Sequence, residues 1–514
     1  MQFNKCKTPM WIAFSSSFLC ACFTHLFALT NVLHNYDDIA SMPGGYGTGT
    51  VSGRWFLEFI GQLSLDLGLN YNLPLLNGLV FLLLISFSAS ILVKTLHITK
   101  KASAALIGIL FSVFPPVASA LFFRFTVIFY GFSILFSILA PFFMVRYRFG
   151  YIGSILFIAL SLGIYQAYIP MTIGIFVLLL IQEVLNGKLS VISIIQRGLL
   201  YCTVLIFGFL LYYGITKLST AAAGKDLLDY QGIQTMGQIS LIDLPYLIWK
   251  AFKDVCLLPI RDYCGISYRQ VIQTAYLLLI IVSFPLLVSI LKNITKTISA
   301  RIVLLLLCLV FPVAINFIEI MVPDGWIYTL MVYPLVLLPC LPLILLEYLP
   351  YQEQQSQKIS STIAKSVCIA TILLSSLYVY YTNVNYTALH YENRQVENYL
   401  NSMVTQVRMT EGFRSDMEWV LIGDVADPLL GSMWAEETAY GGNSYALHLI
   451  NSFSFSDWIE NYIGYNIAFA SEDTIAAFTA MEEVQHMPCW PDYGSIQIIH
   501  DTVIIKFQSV SQAP

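Results

Sequence analysis

The hydrophobic residues of this chain form long, nearly uninterrupted runs. A helix needs about 20 apolar residues to cross the hydrocarbon core of a bilayer, and about eleven runs approach or exceed that length. The runs lie at 10–33, 75–94, 103–122, 126–145, 150–168, 170–186, 198–216, 272–291, 302–322, 327–348 and 366–383. This pattern predicts a polytopic α-helical membrane protein with about 11 transmembrane helices.

The chain changes character after the last of these runs. Residues 384–514 contain 17 acidic and 4 basic residues, whereas residues 1–383 contain 14 acidic and 22 basic residues. A segment with so many acidic residues is expected to face water. We therefore predict a transmembrane domain over 1–383, with long loops at 34–74 and 217–271, and a soluble C-terminal α/β domain over 384–514.

The periodicity of this C-terminal segment predicts its elements. Apolar residues at 396–407 follow a helical spacing, and MEWVLIG at 417–423 alternates as a strand does. A second helical pattern covers 473–484. The final SIQII and VIIKF, separated by a short polar turn, are typical of a β-hairpin.

The amino-acid composition supports the membrane assignment and limits the kinds of partner that the chain can bind. Of the 514 residues, 57% are hydrophobic and only 11% are charged, whereas about a quarter of the residues of a soluble domain are charged. Such a chain must face membrane lipid over much of its surface. The net charge is −5 and the basic residues are scattered, so we expect no nucleic-acid partner.

Basic residues also predict the orientation, because short cytoplasmic loops collect Lys and Arg. With the N-terminus in the cytoplasm, the inner segments hold 14 of the 26 basic residues, and the outer loops before residue 384 hold eight. An odd number of spans then places the C-terminal domain outside. The first run is about 24 residues long, which exceeds the core of a signal peptide, and we expect it to be retained as a span.

The first outer loop, at 34–74, contains the most informative motifs. It begins with the acidic pair Asp37 and Asp38, continues through a glycine-rich PGGYGTGT, and reaches the triplet GRW, which contains Arg54 and Trp55. An amphipathic FLEFIGQLSLDLG follows. One carboxylate of an adjacent pair can raise the pKa of the other and make it a general base. The alternative is a solvated turn that caps a helix.

The order of these features resembles that of known membrane glycosyltransferases. An acidic pair after the first span, an amphipathic segment at the interface, about ten further spans and an external tail are similar to the layout of the glycosyltransferase C superfamily. The acidic pair followed about 15 residues later by GRW, together with MPCWP, GSI and VIIKF near the C-terminus, resembles the bacterial serotype-converting glucosyltransferases that modify O-antigen.

This resemblance implies a glycosyltransferase with a GT-C-like fold in the bacterial inner membrane. Glucose would pass from polyprenyl (undecaprenyl) phosphate glucose to a hydroxyl of the O-antigen of lipopolysaccharide at the periplasmic face, with inversion at the anomeric carbon. Asp37 or Asp38 would deprotonate the acceptor hydroxyl. Consecutive residues of an extended loop point to opposite sides, so only one of the two carboxylates can face the donor. We favour Asp37, since this choice leaves Asp38 to pair with an arginine or to cap the next turn.

Such a donor needs cationic contacts at its phosphate, where charge gathers in the transition state. The candidates are four outer arginines: Arg54, Arg124, Arg261 and Arg269. The alternative for each is an anchor to lipid headgroups. The loop at 217–271 is both apolar and basic, so it would lie on the membrane and cover the head of the lipid carrier, or it would be a plain interfacial loop.

Aromatic and amide side chains at the outer ends of spans are candidates for contacts with the sugars. They are Tyr36, Trp55, Tyr165, Gln166 and Tyr328, with Asp324 and Trp326 beside the last of these. Aromatic residues at this depth also form the interfacial belt that anchors membrane helices, which is the alternative interpretation.

We expect neither a cofactor nor a divalent metal. Many members of the superfamily carry a second acidic residue in the loop between the third and fourth spans, but the ALFFRFTVIFYG here has none. The seven histidines are dispersed, and His34 would be a ligand, a proton relay or a merely solvated side chain. Cys256 and Cys264 both lie in an outer loop, where a disulfide can form but is not required.

Two other classes of protein fit part of the pattern. An O-antigen polymerase shares many spans, but its essential residues would cluster at 217–271 rather than at 34–74. A transporter or flippase binds its substrate near the membrane midplane through polar or broken helices. Glu183 and Glu319 are the acidic residues nearest to span interiors, and both can be placed at helix ends. No motif indicates the acceptor sugar or the linkage.

Overall fold

The computed structural model describes residues 7–187, 190–227, 240, 242–293, 297–323, 325–349, 354–425, 440, 449–450 and 454–507. Asp324 and residues 228–239 and 241 of the long outer loop lie outside the described residues. The chain divides into two compact units. The first unit comprises Met1–Asn31 and Gly45–Asn383, and the second comprises Val32–Gly44 and Val384–Pro514.

The described secondary structure is helical apart from one small sheet. In chain order the helices are α1 (Lys7–Thr30), α2 (Tyr36–Ala40), α3 (Trp55–Asp66), α4 (Pro74–Thr95), α5 (Lys101–Val113), α6 (Pro115–Leu121), α7 (Val127–Arg146), α8 (Gly150–Ile164), α9 (Ile169–Asn186), α10 (Val191–Ala223), α11 (Leu244–Cys256), α12 (Gln270–Asn293), α13 (Ile298–Ile315), α14 (Ile318–Met321), α15 (Leu337–Leu345), α16 (Gln354–Met409), α17 (Phe455–Asp457), α18 (Glu472–Thr479) and α19 (Glu482–Gln485). The strands are β1 (Glu418–Ile422), β2 (Ile496–Ile499) and β3 (Thr502–Lys506).

Ten helical segments within the described part of the chain are long and apolar enough to cross a membrane. Each apolar run predicted from the sequence falls on one of these segments or on α8, which has 15 residues. The prediction of a polytopic α-helical membrane protein is therefore confirmed. The number of crossings and their orientation stay predictions.

Hydroxyl side chains join several helices of the first unit. Ser133 Oγ donates to the carbonyl of Ser161 over 3.0 Å, and Ser161 Oγ donates to the carbonyl of Ser133 over 2.9 Å. Thr172 donates to the carbonyl of Ser137 over 2.6 Å. Because lipid tails give helices no hydrophobic reason to associate, such bonds help to select which helices pack together. Here they join α7 to both α8 and α9.

Two shorter helices of the first unit are amphipathic. In α3, which covers most of the amphipathic segment after GRW, Leu57 and Gly61 are buried while Phe59 is exposed. In α11, Leu247 and Ala251 are buried. In both helices the buried residues recur every four positions, the spacing that places them on one face.

The second unit contains the C-terminal part of α16 and the sheet. On α16 the buried residues Val396, Leu400, Met403 and Val407 follow the helical spacing predicted for 396–407. The segment Val32–Gly44, which the sequence analysis treated as part of a loop of the transmembrane domain, belongs to this unit.

The sheet of the second unit has the strand order β1-β3-β2. β1 confirms the strand predicted at 417–423 and runs parallel to β3, with Val420 opposite Ile504. β2 and β3 form the predicted antiparallel hairpin. Its two turn residues, His500 and Asp501, have φ of 48° and 59°, as a two-residue turn with positive φ at both positions requires.

The single helix predicted at 473–484 is wrong, because the chain bends between α18 and α19. Met481 adopts an extended conformation, with φ of −72° and ψ of 133°. The bend allows Phe478 and Val484 to pack in the same hydrophobic core as Val420 of β1. The free energy gained by burying these two side chains outweighs what a continuous helix through this short segment would contribute.

Candidate active site

The GRW triplet forms a tight turn at the start of α3. Thr50–Ser52 make one turn of 3-10 helix, Gly53 has φ of 69°, and Arg54 is the N-cap of α3. A Cβ atom at residue 53 would lie 2.6 Å from the hydroxyl of Tyr212. Glycine fits this position because it accepts the left-handed backbone and leaves room for that hydroxyl.

Gln166 holds this turn in place. Its Nε2 donates one hydrogen bond to the carbonyl of Ser52 (2.9 Å) and another to the hydroxyl of Tyr212 (3.0 Å). Both amide protons are therefore used within the protein, and Gln166 is buried. These bonds give Gln166 a positioning role for the turn, while its contact with a sugar stays a prediction.

Arg54 lies over an aromatic side chain. Its guanidinium carbon is 4.9 Å from the centroid of the Tyr165 ring, a distance at which the negative face of the ring attracts the cation. Tyr165 packs against Tyr130 and Tyr168, with ring centroids 4.8 and 5.0 Å away. The structure thus brings together Arg54 and Tyr165, which the sequence placed in separate outer segments.

Three hydrogen-bond donors of the turn have no partner among the described residues. They are the hydroxyl of Ser52, Nε of Arg54 and the indole Nε1 of Trp55, and all three atoms are buried. An unpaired buried donor costs about 1–3 kcal/mol. Three such donors within four residues suit a ligand that carries acceptor oxygens.

Trp55 is fixed by close contact with α8. A Cβ atom on Gly163 would lie 2.7 Å from the indole ring of Trp55 and 3.0 Å from Cβ of Phe56. Any larger residue at Gly163 would displace the start of α3. The close approach of the two helices therefore determines where the GRW turn presents its donors.

Arg124 occupies the turn between α6 and α7 and is 2% exposed. Its carbonyl accepts a 3.2 Å bond from Nδ2 of Asn77. The ring of the next residue, Phe125, lies against Gly47, where a Cβ atom would be 3.3 Å from it. The turn that carries Arg124 therefore touches the glycine-rich part of the first outer loop. The burial of Arg124 also distinguishes it from an arginine that is exposed to lipid headgroups.

The other predicted outer residues of the first unit lie on different segments. Arg261 is exposed, and the guanidinium of Arg269 lies 5.3 Å from the centroid of the Tyr268 ring. Tyr328 is partly buried at the start of the 3-10 turn Thr329–Val336. Their predicted contacts with the phosphate or the sugars stay predictions.

Cys256 and Cys264, the two outer cysteines, are free thiols in this structure. Sγ of Cys264 donates to the carbonyl of Ile327 over 3.4 Å. The side chain of Cys264 is therefore engaged with the segment before the 3-10 turn rather than with Cys256.

In the second unit the acidic pair lies on the short helix α2. Asn35 caps this helix, because its Oδ1 accepts a 2.7 Å bond from the backbone N–H of Asp38. Asp38 is fully buried, whereas Asp37 and Tyr36 are partly exposed. The expectation of an extended loop is wrong here, although consecutive side chains on a helix still diverge by about 100°.

His34 is part of the same buried cluster. Its Nδ1 lies 3.1 Å from Oδ2 of Asp38. Its ring meets the rings of Trp458 and Tyr462 edge-on, with centroids 5.9 and 5.3 Å away. The expectation of a solvated histidine is wrong, since His34 is 2% exposed. The side chains of Asp38, Trp458 and Tyr462 lie against its ring where water would otherwise be.

Glu392 and Asn393 of α16 add two further polar groups to the interior of the second unit. The side chain of Asn393 is hydrogen-bonded to the backbone of His34. Glu392 is fully buried, and neither carboxylate oxygen has a hydrogen-bond partner among the described residues. Glu392 lies beyond the predicted last span at 366–383, and burial raises its pKa to about 8.

Comparison with known families identifies the kind of protein to which these features belong. A family model described as glucosyl transferase GtrII matches residues 26–339, more than half of the chain. The chain belongs to the glucosyl transferase GtrII family. This confirms the resemblance to serotype-converting glucosyltransferases that the sequence motifs indicated. No curated protein matches the chain.

The match to the GtrII family covers the acidic pair, the GRW turn and Arg124. It ends before α16, so Glu392 and Asn393 lie outside the matched residues. As a member of this family the chain is a glucosyltransferase, and its apolar helices make it a multi-pass membrane protein.

The sequence analysis of this GtrII-family chain missed Tyr212, Glu392 and Asn393. Tyr212 lies inside an apolar run, where nothing distinguishes a tyrosine with a partner from a packing residue. A signal for Glu392 was present, because it lies at helical spacing between the apolar residues Leu389 and Val396. A carboxylate at such a position is either buried or at the edge of the buried face.

Groups of three or more His, Cys, Asp or Glu side chains that could hold a metal ion were not found within the described part of this glucosyltransferase. The expectation of a reaction without a metal or cofactor stays a prediction.

Proposed function

We propose that this glucosyltransferase moves glucose from polyprenyl phosphate glucose to a hydroxyl of O-antigen polysaccharide at the periplasmic face of the bacterial inner membrane. The observation that carries the proposal is the set of three unpaired buried donors at the GRW turn of a GtrII-family protein. The phosphate and sugar of such a donor carry the acceptor oxygens that these groups lack.

Arg54 is the proposed contact to the donor phosphate. Negative charge accumulates on the leaving polyprenyl phosphate as its bond to the anomeric carbon breaks. A cation already fixed at that position therefore stabilises the transition state more than the ground state. The stacking of Arg54 on Tyr165 supports this role, because it limits the directions in which the guanidinium can point. Arg124, Arg261 and Arg269 are the further candidates.

Asp37 is the proposed general base. In a single displacement the acceptor oxygen bonds to the anomeric carbon as the carbon–oxygen bond to phosphate breaks, and the hydroxyl proton passes to the Asp37 carboxylate. The configuration at the anomeric carbon is inverted. The partial exposure of Asp37 supports this assignment, since a base must reach the substrate. Asp38, which is buried and bonded to His34, is the proposed positioning residue for α2.

The test uses the full-length protein in lipid nanodiscs with radiolabelled polyprenyl phosphate glucose and polysaccharide from cells that lack this gene. We expect label to move to the polysaccharide as single glucose branches, with the anomeric configuration opposite to that of the donor. Label that stays in the lipid fraction would contradict the proposal.

A further inference from the structure

A polar cleft of about 480 Å³ lies in the first unit, and its described lining includes Cys264 and Ile327 but no residue of the GRW turn. Its lining includes Lys250 and Asp254 of α11, Glu319 of α14, Tyr263 and Trp326. The volume lies within the range of pockets that bind small ligands. Asp324 falls between two lining residues in the sequence but lies outside the described residues.

The floor of the cleft is a preformed ion pair. Nζ of Lys250 lies 2.6 Å from Oε2 of Glu319, which is 2% exposed. The hydroxyl of Tyr263 lies 2.8 Å from the other carboxylate oxygen, Oε1. Burial alone would lower the pKa of Lys250, but Glu319 outweighs burial and raises it, so the ammonium stays charged.

The two helices that carry this ion pair, α11 and α14, pack against each other through apolar side chains. Leu247 and Ala251 of α11 form a buried cluster with Ile320 of α14. Leu247 and Ala251 bracket Lys250 in the sequence, so the packing of their face fixes the direction in which α11 presents the lysine. The floor therefore does not need a ligand to assemble.

Two side chains at the rim of the cleft are accessible to a ligand. Trp326 is 77% exposed. Asp254, one helical turn after Lys250, has no hydrogen-bond or ion-pair partner among the residues that the structure describes. Burial and the nearby Glu319 raise the pKa of Asp254, although Lys253 and Arg261 act in the opposite direction. An exposed indole beside an available carboxylate can bind both faces of a ligand that is partly apolar and partly polar.

The charge of the lining limits which ligand fits. Among the described residues it contains one cation, Lys250, and two carboxylates, Asp254 and Glu319. The cation is already paired with Glu319, so the described lining offers no unpaired cation to the phosphate of the lipid donor. A pyranose ring is uncharged, donates hydrogen bonds from its hydroxyls to carboxylates, and has an apolar C–H face that packs on the negative face of an indole.

We infer that this cleft is a subsite for the acceptor polysaccharide, with a sugar ring stacked on Trp326 and its hydroxyls bonded to Asp254. The inference rests on the proposed function, since it assigns one substrate of that reaction to a place in the first unit. A tryptophan that only anchors the protein in the membrane interface would not need an ion pair to a buried carboxylate, and a second carboxylate without a hydrogen bond to any described residue, beside it.

The test compares Trp326→Ala and Asp254→Asn with a matched control, Trp249→Ala. Trp249 is 58% exposed and precedes Lys250 directly, but it does not line the cleft. Each full-length variant is placed in nanodiscs and assayed for transfer over a range of polysaccharide concentrations and then of donor concentrations. Binding of the polysaccharide without donor is measured separately by saturation-transfer NMR.

We expect Trp326→Ala and Asp254→Asn each to raise KM for the polysaccharide about ten-fold, the effect of losing one stacking contact or one charge-assisted bond. KM for the donor should stay within about two-fold, and the control should match the wild type. Trp326→Tyr should restore most of the affinity, because an aromatic face remains. All variants are first checked for equal membrane abundance.

Three outcomes separate the two proposals. An unchanged polysaccharide KM in both cleft variants, with transfer intact, would overturn the cleft and leave the transferase. The same loss in Trp249→Ala as in Trp326→Ala would identify a membrane anchor and overturn the cleft. A wild type that binds polysaccharide through Trp326 but transfers no glucose would contradict the proposed function, while supporting the cleft as a saccharide site.

Discussion

The side-chain amide of Asn393 is hydrogen-bonded to both backbone polar groups of His34. Its Oδ1 accepts a 2.7 Å bond from the N–H of His34, and its Nδ2 donates a 2.9 Å bond to the carbonyl of His34. Both residues are buried, and 359 positions separate them in the sequence. The Asn393 side chain thus pairs with both backbone polar groups of His34, as a residue on a neighbouring β-strand can. These two bonds attach the segment before α2 to α16 within the second unit.

Replacing Asn393 with leucine should loosen this segment. Leucine has a similar volume but no hydrogen-bonding group, so two buried backbone groups would lose their partners at a cost of about 1–3 kcal/mol each. Amide hydrogen exchange in the peptide 32–44, measured by mass spectrometry on the full-length protein, should accelerate about ten-fold or more. Asn401→Leu, at an exposed position of the same helix, is the control. Equal protection in both variants would mean that the Asn393 bonds do not hold the segment.

The two residues of the acidic pair should respond differently to substitution. Asp37→Asn keeps the size of the side chain but removes the proposed proton acceptor, so transfer should fall about 10²-fold or more at unchanged thermal stability. Asp38→Ala should instead lower the stability of the second unit by about 1–3 kcal/mol, because it removes the acceptor of the buried His34 bond.

Transfer of radiolabelled glucose and the melting temperature are measured for each variant at equal membrane abundance. Asp66→Asn is the control, since Asp66 is an exposed carboxylate at the end of α3. Full transfer by Asp37→Asn would exclude Asp37 as the base. If Asp38→Asn also retained full transfer, neither carboxylate would be the base and the proposed mechanism would be wrong.

Sequence reasoning predicted the features that depend on local physics. Span length is set by the thickness of the bilayer, so the apolar runs identified the helices. The hairpin followed from alternation around a polar turn at His500 and Asp501. The bend at Met481 was missed because it depends on burying Phe478 and Val484 together, which no local pattern shows.

The contacts of the candidate site depend on how segments that are distant in the sequence pack together. The sequence therefore identified individual site residues but not which of them contact each other. Arg54, Tyr165 and Gln166 were all singled out, but their convergence required the particular packing of α3 against α8. The partner of Gln166, Tyr212, is unremarkable within its apolar run. His34 and Asn393 meet across most of the chain length, a separation at which spacing carries no information.

Arg54→Lys should weaken binding of the lipid donor. Lysine keeps the positive charge but loses the planar fork that can contact two phosphate oxygens and stack on Tyr165. We expect KM for the donor to rise about ten-fold, with KM for the polysaccharide unchanged. Arg148→Lys is a matched control, because Arg148 also lies over an aromatic ring, that of Phe149 at 5.5 Å, but in a predicted inner segment. Normal donor affinity in Arg54→Lys would remove Arg54 from the phosphate site.

The orientation of the chain can be tested independently of its activity. The distribution of basic residues predicts that residues 384–514 lie outside the cytoplasm. Alkaline phosphatase fused after residue 409, at the end of α16, should be active in intact cells, because the enzyme folds only where its disulfides can form. A fusion after residue 293, in a predicted inner loop, should be inactive. The opposite pattern would invert the proposed topology.

Glu392 should make the stability of the second unit depend on pH. Its pKa is about 8 in the folded protein, above the ordinary value of 4.5 for a glutamate, so the folded protein binds this proton more tightly than the unfolded chain does. The resulting contribution to stability is fully present below about pH 4.5. It declines as the pH rises, because the unfolded chain loses the proton first, and it is lost by about pH 8.

Glu392→Gln should remove this dependence, since glutamine stays neutral in both states. Hydrogen exchange of the β1–β3 amides is compared between variant and wild type at equal pH, so that the intrinsic exchange rate cancels. Protection should be equal near pH 4.5 and about ten-fold or more higher in the variant near pH 8. Glu411→Gln, at an exposed position just after α16, should follow the wild type. Parallel profiles for Glu392→Gln and wild type would mean that Glu392 ionises in the folded protein at no cost, and its burial would then have to be relieved by a group such as a bound ligand or cation.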